Sequence, residues 1–193
     1  MDGLRTERLT LRRWREADRP VFHRLNADPV VMRFFDKRLS REEADATMDR
    51  WNAGLDREQM SFLAAERLSD GAVIGTIGLS PVTEDSYAFA PTVQIGWRLL
   101  PDAEGRGYAS EGARACLAYG FDVLNLPEIV AQCVVENRPS ETVMLRLGMT
   151  LRGTFDHPKV AADTHPHLVR HSLYGLTADA WRRASRQSIS QPG

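Results

Sequence analysis

The residues best suited to chemistry lie between 101 and 115, PDAEGRGYASEGARA, where Gly105 and Gly107 occupy a loop that feeds a helix. Glycine lets the backbone turn sharply and approach a ligand. The unpaired N–H groups of a helix N-terminus, and a macrodipole of roughly half a positive charge, favour phosphate oxygens there. Arg106 adds a side-chain cation. The same two glycines would equally serve a tight strand-to-helix turn. Other phosphate-binding schemes fail on spacing. A Walker loop requires Gly-Lys-Ser/Thr, which the segment lacks. A dinucleotide fingerprint needs a third glycine where Ser110 stands and an acid about 20 residues further on. Glu136, at the end of the next strand, follows Gly105 by 31 residues, which disfavours a nicotinamide-dependent reductase.

Other chemistry-bearing residues are more scattered. THPHLVRH (164–171) sets His165, His167 and His171 on one parity of a possible strand. A divalent site also needs partners that fix its ligands, and nothing nearby demands one, so no metal is expected. Exposure on a strand or a place along a substrate groove explains the histidines equally well. Cys116 and Cys133 fall in apolar segments and read as reduced core thiols.

Periodicity supplies the elements that must position these groups. Leu9, Leu11 and Arg13 alternate with Thr10, Arg12 and Trp14 as in a half-buried strand. A helix follows from about Asp18, with Pro20 in its first turn. Ser40 and Glu43 form a capping box for a second helix through Ala44, Thr47, Met48 and Trp51. Phe62–Arg67 and Ala72–Leu79, separated by Ser69, Asp70 and Gly71, predict an antiparallel hairpin. A strand from Val93 to Leu100 ends at Pro101. The helix after Gly107 carries Ala109, Ala113, Cys116, Gly120 and Leu124 on one face, small enough for close packing on a sheet. Ile129–Val135 is a buried strand, completing a β-α-β unit. Asn137 and Pro139 open a helix that Gly148 closes. Strands at 149–155 and 168–174, then a short helix capped by Thr177, end the pattern.

The chain of 193 residues, 42% hydrophobic, predicts a single domain over 1–186 and a disordered tail over 187–193, where apolar periodicity is lost. A net charge of −1 disfavours nucleic-acid partners. No stretch approaches the ~18 apolar residues that would span a bilayer, so a soluble, cytoplasmic protein is expected.

EGRGYASEG resembles the pyrophosphate-binding loop of the Gcn5-related N-acetyltransferases (GNAT), whose pattern is Gln/Arg-x-x-Gly-x-Gly/Ala followed at once by a helix. QIGWRL resembles that family's fourth strand, and ENRPSETVMLRLGM the Asn-x-x-Ser helix after its fifth. ERLTLRRW and LYGLTADAW resemble the branch containing ribosomal-protein N-terminal acetyltransferases. The likeness spans about residues 5 to 182.

The resemblance implies a mixed α+β fold: a mostly antiparallel, twisted sheet flanked by helices, whose parallel strands 4 and 5 splay apart. Acetyl-CoA, the implied cosubstrate, would lie in that wedge along Trp97, Arg98 and Leu99. Backbone groups of Gly105, Arg106, Gly107, Tyr108 and Ala109, with Glu104 at the head of the motif and the Ser110 hydroxyl helping, would hold its pyrophosphate. Asn137 matches the position at the cofactor's amide arm, and Ser140 the one near its sulfur. Three departures from the family pattern stand out. Glu104 replaces Gln or Arg, Gln94 a frequent Glu, and Met144 the tyrosine that protonates the thiolate in many relatives. Ser140 is then the remaining acid. Glu84, with Asp85, is the candidate base through water, or a solvated loop charge. Phe34 and Phe35 fall where the family builds its acceptor groove, or in the core. The implied partner is an amine: a protein N-terminus, or a small molecule such as a polyamine or aminoglycoside. A homodimer is compatible with this reading. So is an acyl-CoA-binding module without turnover.

Overall fold

A computed structural model describes residues 1–189. Its elements follow the predicted order. A two-residue strand β1 (Leu4–Arg5) precedes β2 (Leu9–Arg12), followed by helices α1 (Arg19–Ala27) and α2 (Arg41–Glu58). Next come strands β3 (Phe62–Arg67), β4 (Val73–Val82) and β5 (Thr92–Leu99), then α3 (Tyr108–Ala118), which a π-turn extends over Tyr119–Val123. Strand β6 (Glu128–Val134), helix α4 (Arg138–Arg146) and strand β7 (Thr150–Asp156) lead to a one-turn helix α5 (Pro166–Val169), strand β8 (Arg170–Thr177) and helix α6 (Ala178–Ile189).

The eight strands form one mixed sheet in the order β1-β2-β3-β4-β5-β6-β8-β7, antiparallel except between β5 and β6. Because β1 is so short, β5 and β6 are the strands expected from sequence as the fourth and fifth. The capping box at α2 is present: Glu43 N–H donates to Ser40 Oγ, and Ser40 N–H to the Glu43 carboxylate.

Strand alternation sends side chains to two separate cores. Leu9, Leu11, Ile77, Ile95 and Leu99 face α3, packing with Ala113, Cys116, Leu117 and Phe121. On the opposite face Trp14, Phe22, Leu25, Met32 and Met48 join α1 and α2 to the sheet. The close packing expected of the small face is seen at Gly120, where a Cβ would lie 2.6 Å from Ile129 Cδ1; Gly112, not among the residues expected, packs as tightly, a Cβ there lying 2.5 Å from Ile77 Cδ1. On the α1 side, Arg12 is buried between Asp18 and Glu66, each 2.6 Å away.

The histidine segment differs from expectation. Pro166 favours a helical first turn, so His165 caps α5 and His167 lies within it, leaving only His171 on β8. The one-parity strand does not form. The final helix is longer than the short one expected; it begins after Thr177, whose Oγ1 accepts from Ala180 N–H, and runs through 187–189. The remainder of the proposed tail, 190–193, lies outside the described residues.

Tight α3 packing yields a stability prediction. Gly112→Leu should cost about 1–3 kcal/mol through overpacking against Ile77, read as a lower urea midpoint at unchanged slope. No loss would mean that α3 stands further from β4 than described.

Candidate active site

The site is a consequence of strand pairing. Strand β5 pairs with β4 along its whole length, from Thr92 opposite Val82 to Leu99 opposite Gly75. With β6 it shares a single ladder position, Gln94 opposite Val130, while β6 stays with β8 from Glu128 to Val134. Beyond Gln94 the two parallel strands part, and the edge of β5 facing β6 has no strand partner. A cavity of about 1140 Å3 opens there.

Gly105 and Gly107 bring the chain from β5 into α3. Both adopt left-handed backbone angles (φ +72° and +83°), which L side chains rarely tolerate. Gly107 caps the helix, and its carbonyl accepts from Glu111 N–H (3.0 Å). The N–H groups of Tyr108, Ala109 and Ser110 therefore have no partner within the helix. The Ser110 hydroxyl is buried and also lacks a hydrogen-bond partner. Four donors thus converge where the loop meets the cavity, and such a donor set fits a phosphate group.

Contacts from Arg8, just before β2, brace this turn. Arg8 pairs with Glu111 (2.6 Å), donates to the Arg106 carbonyl (3.0 Å) and lies over the Tyr108 ring. Arg106 itself is exposed and outside the cavity wall, so its side chain is not among the groups facing the cavity. Glu104 does border the cavity, but its carboxylate is drawn toward Arg33, 3.6 Å away, across the mouth.

Residues from widely separated segments complete the walls. Trp97, Arg98 and Leu99 enter from β5, and Asn137 and Ser140 from the start of α4. The Asn137 side-chain carbonyl caps α4 by accepting from Ser140 N–H (3.2 Å), and its NH2 group is left to donate to a ligand. Phe34 and Phe35 line the wall between α1 and α2, with Phe35 48% exposed, so they are not core residues. Met144, on α4, is buried and borders the cavity beside Asn137 and Ser140. Glu84 is not brought to the cavity. It is exposed and pairs with Lys159 at 2.6 Å, and Asp85 is exposed beside it.

Several lining residues were not anticipated. Gln132 Nε2 donates to Gln94 Oε1 (3.1 Å) just past the fork, and Gln132 Oε1 is buried without a partner. A lone amide in the otherwise apolar run IVAQCV (129–134) was the available signal. Tyr87 and His157 form a second group, hydroxyl to Nε2 at 3.0 Å, with the His157 and His171 rings 4.7 Å apart. Burial and the neighbouring His171 push the His157 pKa down to about 4. Both cysteines are free. Burial raises their thiol pKa values, that of Cys133 to about 11, so neither is a nucleophile. Among the described residues no cluster of His, Cys, Asp and Glu could hold a metal ion, and no helix is long and apolar enough to cross a membrane.

A sheet that forks beside a glycine-bent helix N-terminus defines an acetyltransferase of the GNAT class. The chain belongs to that family, residues 8–150 matching its acetyltransferase (GNAT) domain, and the family uses acetyl-CoA. It is 32% identical over 150 residues, 78% of this chain and 84% of the relative, to the uncharacterized N-acetyltransferase YnaD of Bacillus subtilis. It is 29% identical over 195 residues to the FsC-acetyl coenzyme A-N(2)-transacetylase of Aspergillus fumigatus, covering 97% of this chain and 81% of that protein. Among solved structures it resembles a GNAT acetyltransferase from Bacillus anthracis, with TM-score 0.76, 25% identity and coverage of 91% and 98% of the two chains.

Two outcomes test this site. Gly107→Glu should abolish CoA binding in calorimetry, because a side chain and a negative charge enter the place argued for phosphate. Gly148→Glu, at a similar angle (φ +80°) outside the cavity wall, should leave affinity unchanged; equal affinity in both variants would contradict the assignment. Separately, His157 stays neutral when folded but takes a proton near pH 6.5 when unfolded. Stability should therefore decline as pH falls from 6.5 toward 4, and His157→Gln should flatten that decline in denaturation series. An unaltered decline would show that His157 is not the cause.

Proposed function

We propose that this enzyme transfers the acetyl group of acetyl-CoA directly to an α-amine, that of a protein N-terminus. The observation that carries the reading is a fork that can hold the cofactor's amide arm, beside a cavity wall on which no buried carboxylate stands. Acidic residues on the wall of the described cavity are Asp36, which is exposed, and Glu104, which is drawn to Arg33. An α-amine with a pKa of about 8 is roughly 10% neutral at pH 7, whereas a lysine amine at about 10.4 is neutral in only about 0.04% of molecules. A site without a strong base suits the former.

Bound acetyl-CoA would supply an activated thioester carbonyl. The chain's own groups do the rest. The N–H groups of Tyr108, Ala109 and Ser110, with the Ser110 hydroxyl, hold the pyrophosphate. The unpaired edge of β5 and the Asn137 NH2 group orient the amide arm. Gln132 Oε1 accepts an N–H from the incoming amine and aligns it; as the C–N bond forms and the C–S bond breaks, the Ser140 hydroxyl gives its proton to the departing thiolate and regains one, through water, from the acetylated nitrogen. Most of the rate enhancement on this scheme comes from positioning.

The test combines thiol release with product mass. Incubation with acetyl-CoA and N-terminal peptides should release free thiol and add one acetyl group to the peptide α-amine. Ser140→Ala should lower kcat by about 100-fold. CoA binding without thiol release on peptides, polyamines or aminoglycosides would instead identify a binding module.

A further inference from the structure

The fold treats two arginines in opposite ways. Arg12 is neutralised by two carboxylates, Asp18 and Glu66. Arg98, on β5, is half-buried at the cavity wall, yet no carboxylate pairs with it among the described residues. Its Nη2 donates to Asn26 Oδ1 (2.9 Å), its Nη1 meets Met32 Sδ (3.0 Å), and its guanidinium lies over the Phe35 ring at 5.0 Å. A guanidinium carries five N–H donors and keeps its charge at neutral pH. A guanidinium partly withdrawn from water, held by neutral groups and facing a cavity, is a ready partner for a negative group brought in by a ligand.

The diphosphate of CoA is not that group. It is assigned to the N-terminus of α3, which packs on the face of β5 carrying Ile95 and Leu99. Arg98 has the opposite parity and reaches α1 and its following loop through Asn26, Met32 and Phe35. The pantetheine arm is uncharged. What remains is the acceptor. Arg98 lies four residues beyond Gln94, about 13 Å along the strand from the fork. An extended peptide advances about 3.3–3.6 Å per residue, so a side chain from its second or third residue spans that distance.

We propose that Arg98 docks a carboxylate of the acceptor, so that the enzyme prefers peptide N-termini carrying Asp or Glu within their first three residues. The inference rests on the α-amine reading above, and it names the substrate class for that site.

C-terminally amidated peptides Ser-Ala-Asp-Ala and Ser-Ala-Asn-Ala, and the pair with the acid or amide at the second position, differ only in one charge. With acetyl-CoA, kcat/KM should favour the acidic member of at least one pair more than tenfold. Arg98→Met should bring that ratio to about one, and Arg98→Lys should keep part of it. If Arg98 merely braces the α1–α2 loop, its replacement lowers both rates by the same factor and leaves the ratio intact, which overturns the proposal, as does equal use of both peptides by the unaltered enzyme. Calorimetry with the CoA-bound protein separates this outcome from failure of the α-amine reading. Arg98-dependent binding of the acidic peptide without acetylation keeps the anchor and sinks the reaction; absence of such binding sinks the anchor.

Discussion

Everything distinctive about this protein depends on one backbone constraint: β5 can hydrogen-bond to two neighbours at only one position. Past Gln94 the strand remains with β4 while β6 remains with β8. Peptide groups buried without partners are expensive, so the open edge of β5 must be met by water or by a ligand that itself offers amide groups. A fork in a sheet is therefore a binding site for an extended, amide-bearing molecule before any side chain is considered. The turn at Gly105 and Gly107 adds the second requirement, an anion site at one end of the fork.

The two sheet faces divide the work. Small residues of α3 bring its axis close to β4 and aim its N-terminus at the cavity, with Arg8 and Glu111 bracing the turn. The opposite face holds α1 and α2 through an aromatic core and the Arg12 pair, and Phe34, Phe35, Arg98 and Gln132 line the cavity there. The two faces of the sheet thus reach the fork from different sides.

Much of this was legible in the residue pattern, because the signals were local. The Ser40 capping box, the Asp70-Gly71 hairpin, the glycine turn and the Asn137 cap each act within a few residues, and each appears where expected. What escaped depends on long-range pairing. Glu84 is withdrawn from the site by Lys159, 75 positions away. Gln94 meets Gln132 only because the strands lie side by side at the fork, and Tyr87 meets His157 only through sheet order. The histidine run misled because Pro166 turns part of it helical. Nothing in the sequence alone distinguishes Arg98, which lacks a carboxylate, from Arg12, which has two.

The most direct measurement of the central claim is a crystal structure of the protein with acetyl-CoA. Its diphosphate should lie within hydrogen-bond distance of the Tyr108, Ala109 and Ser110 backbone N–H groups, with the amide arm along β5 beyond Gln94. Density for the diphosphate at any other helix end, or a β5–β6 ladder zipped past Gln94, would contradict it.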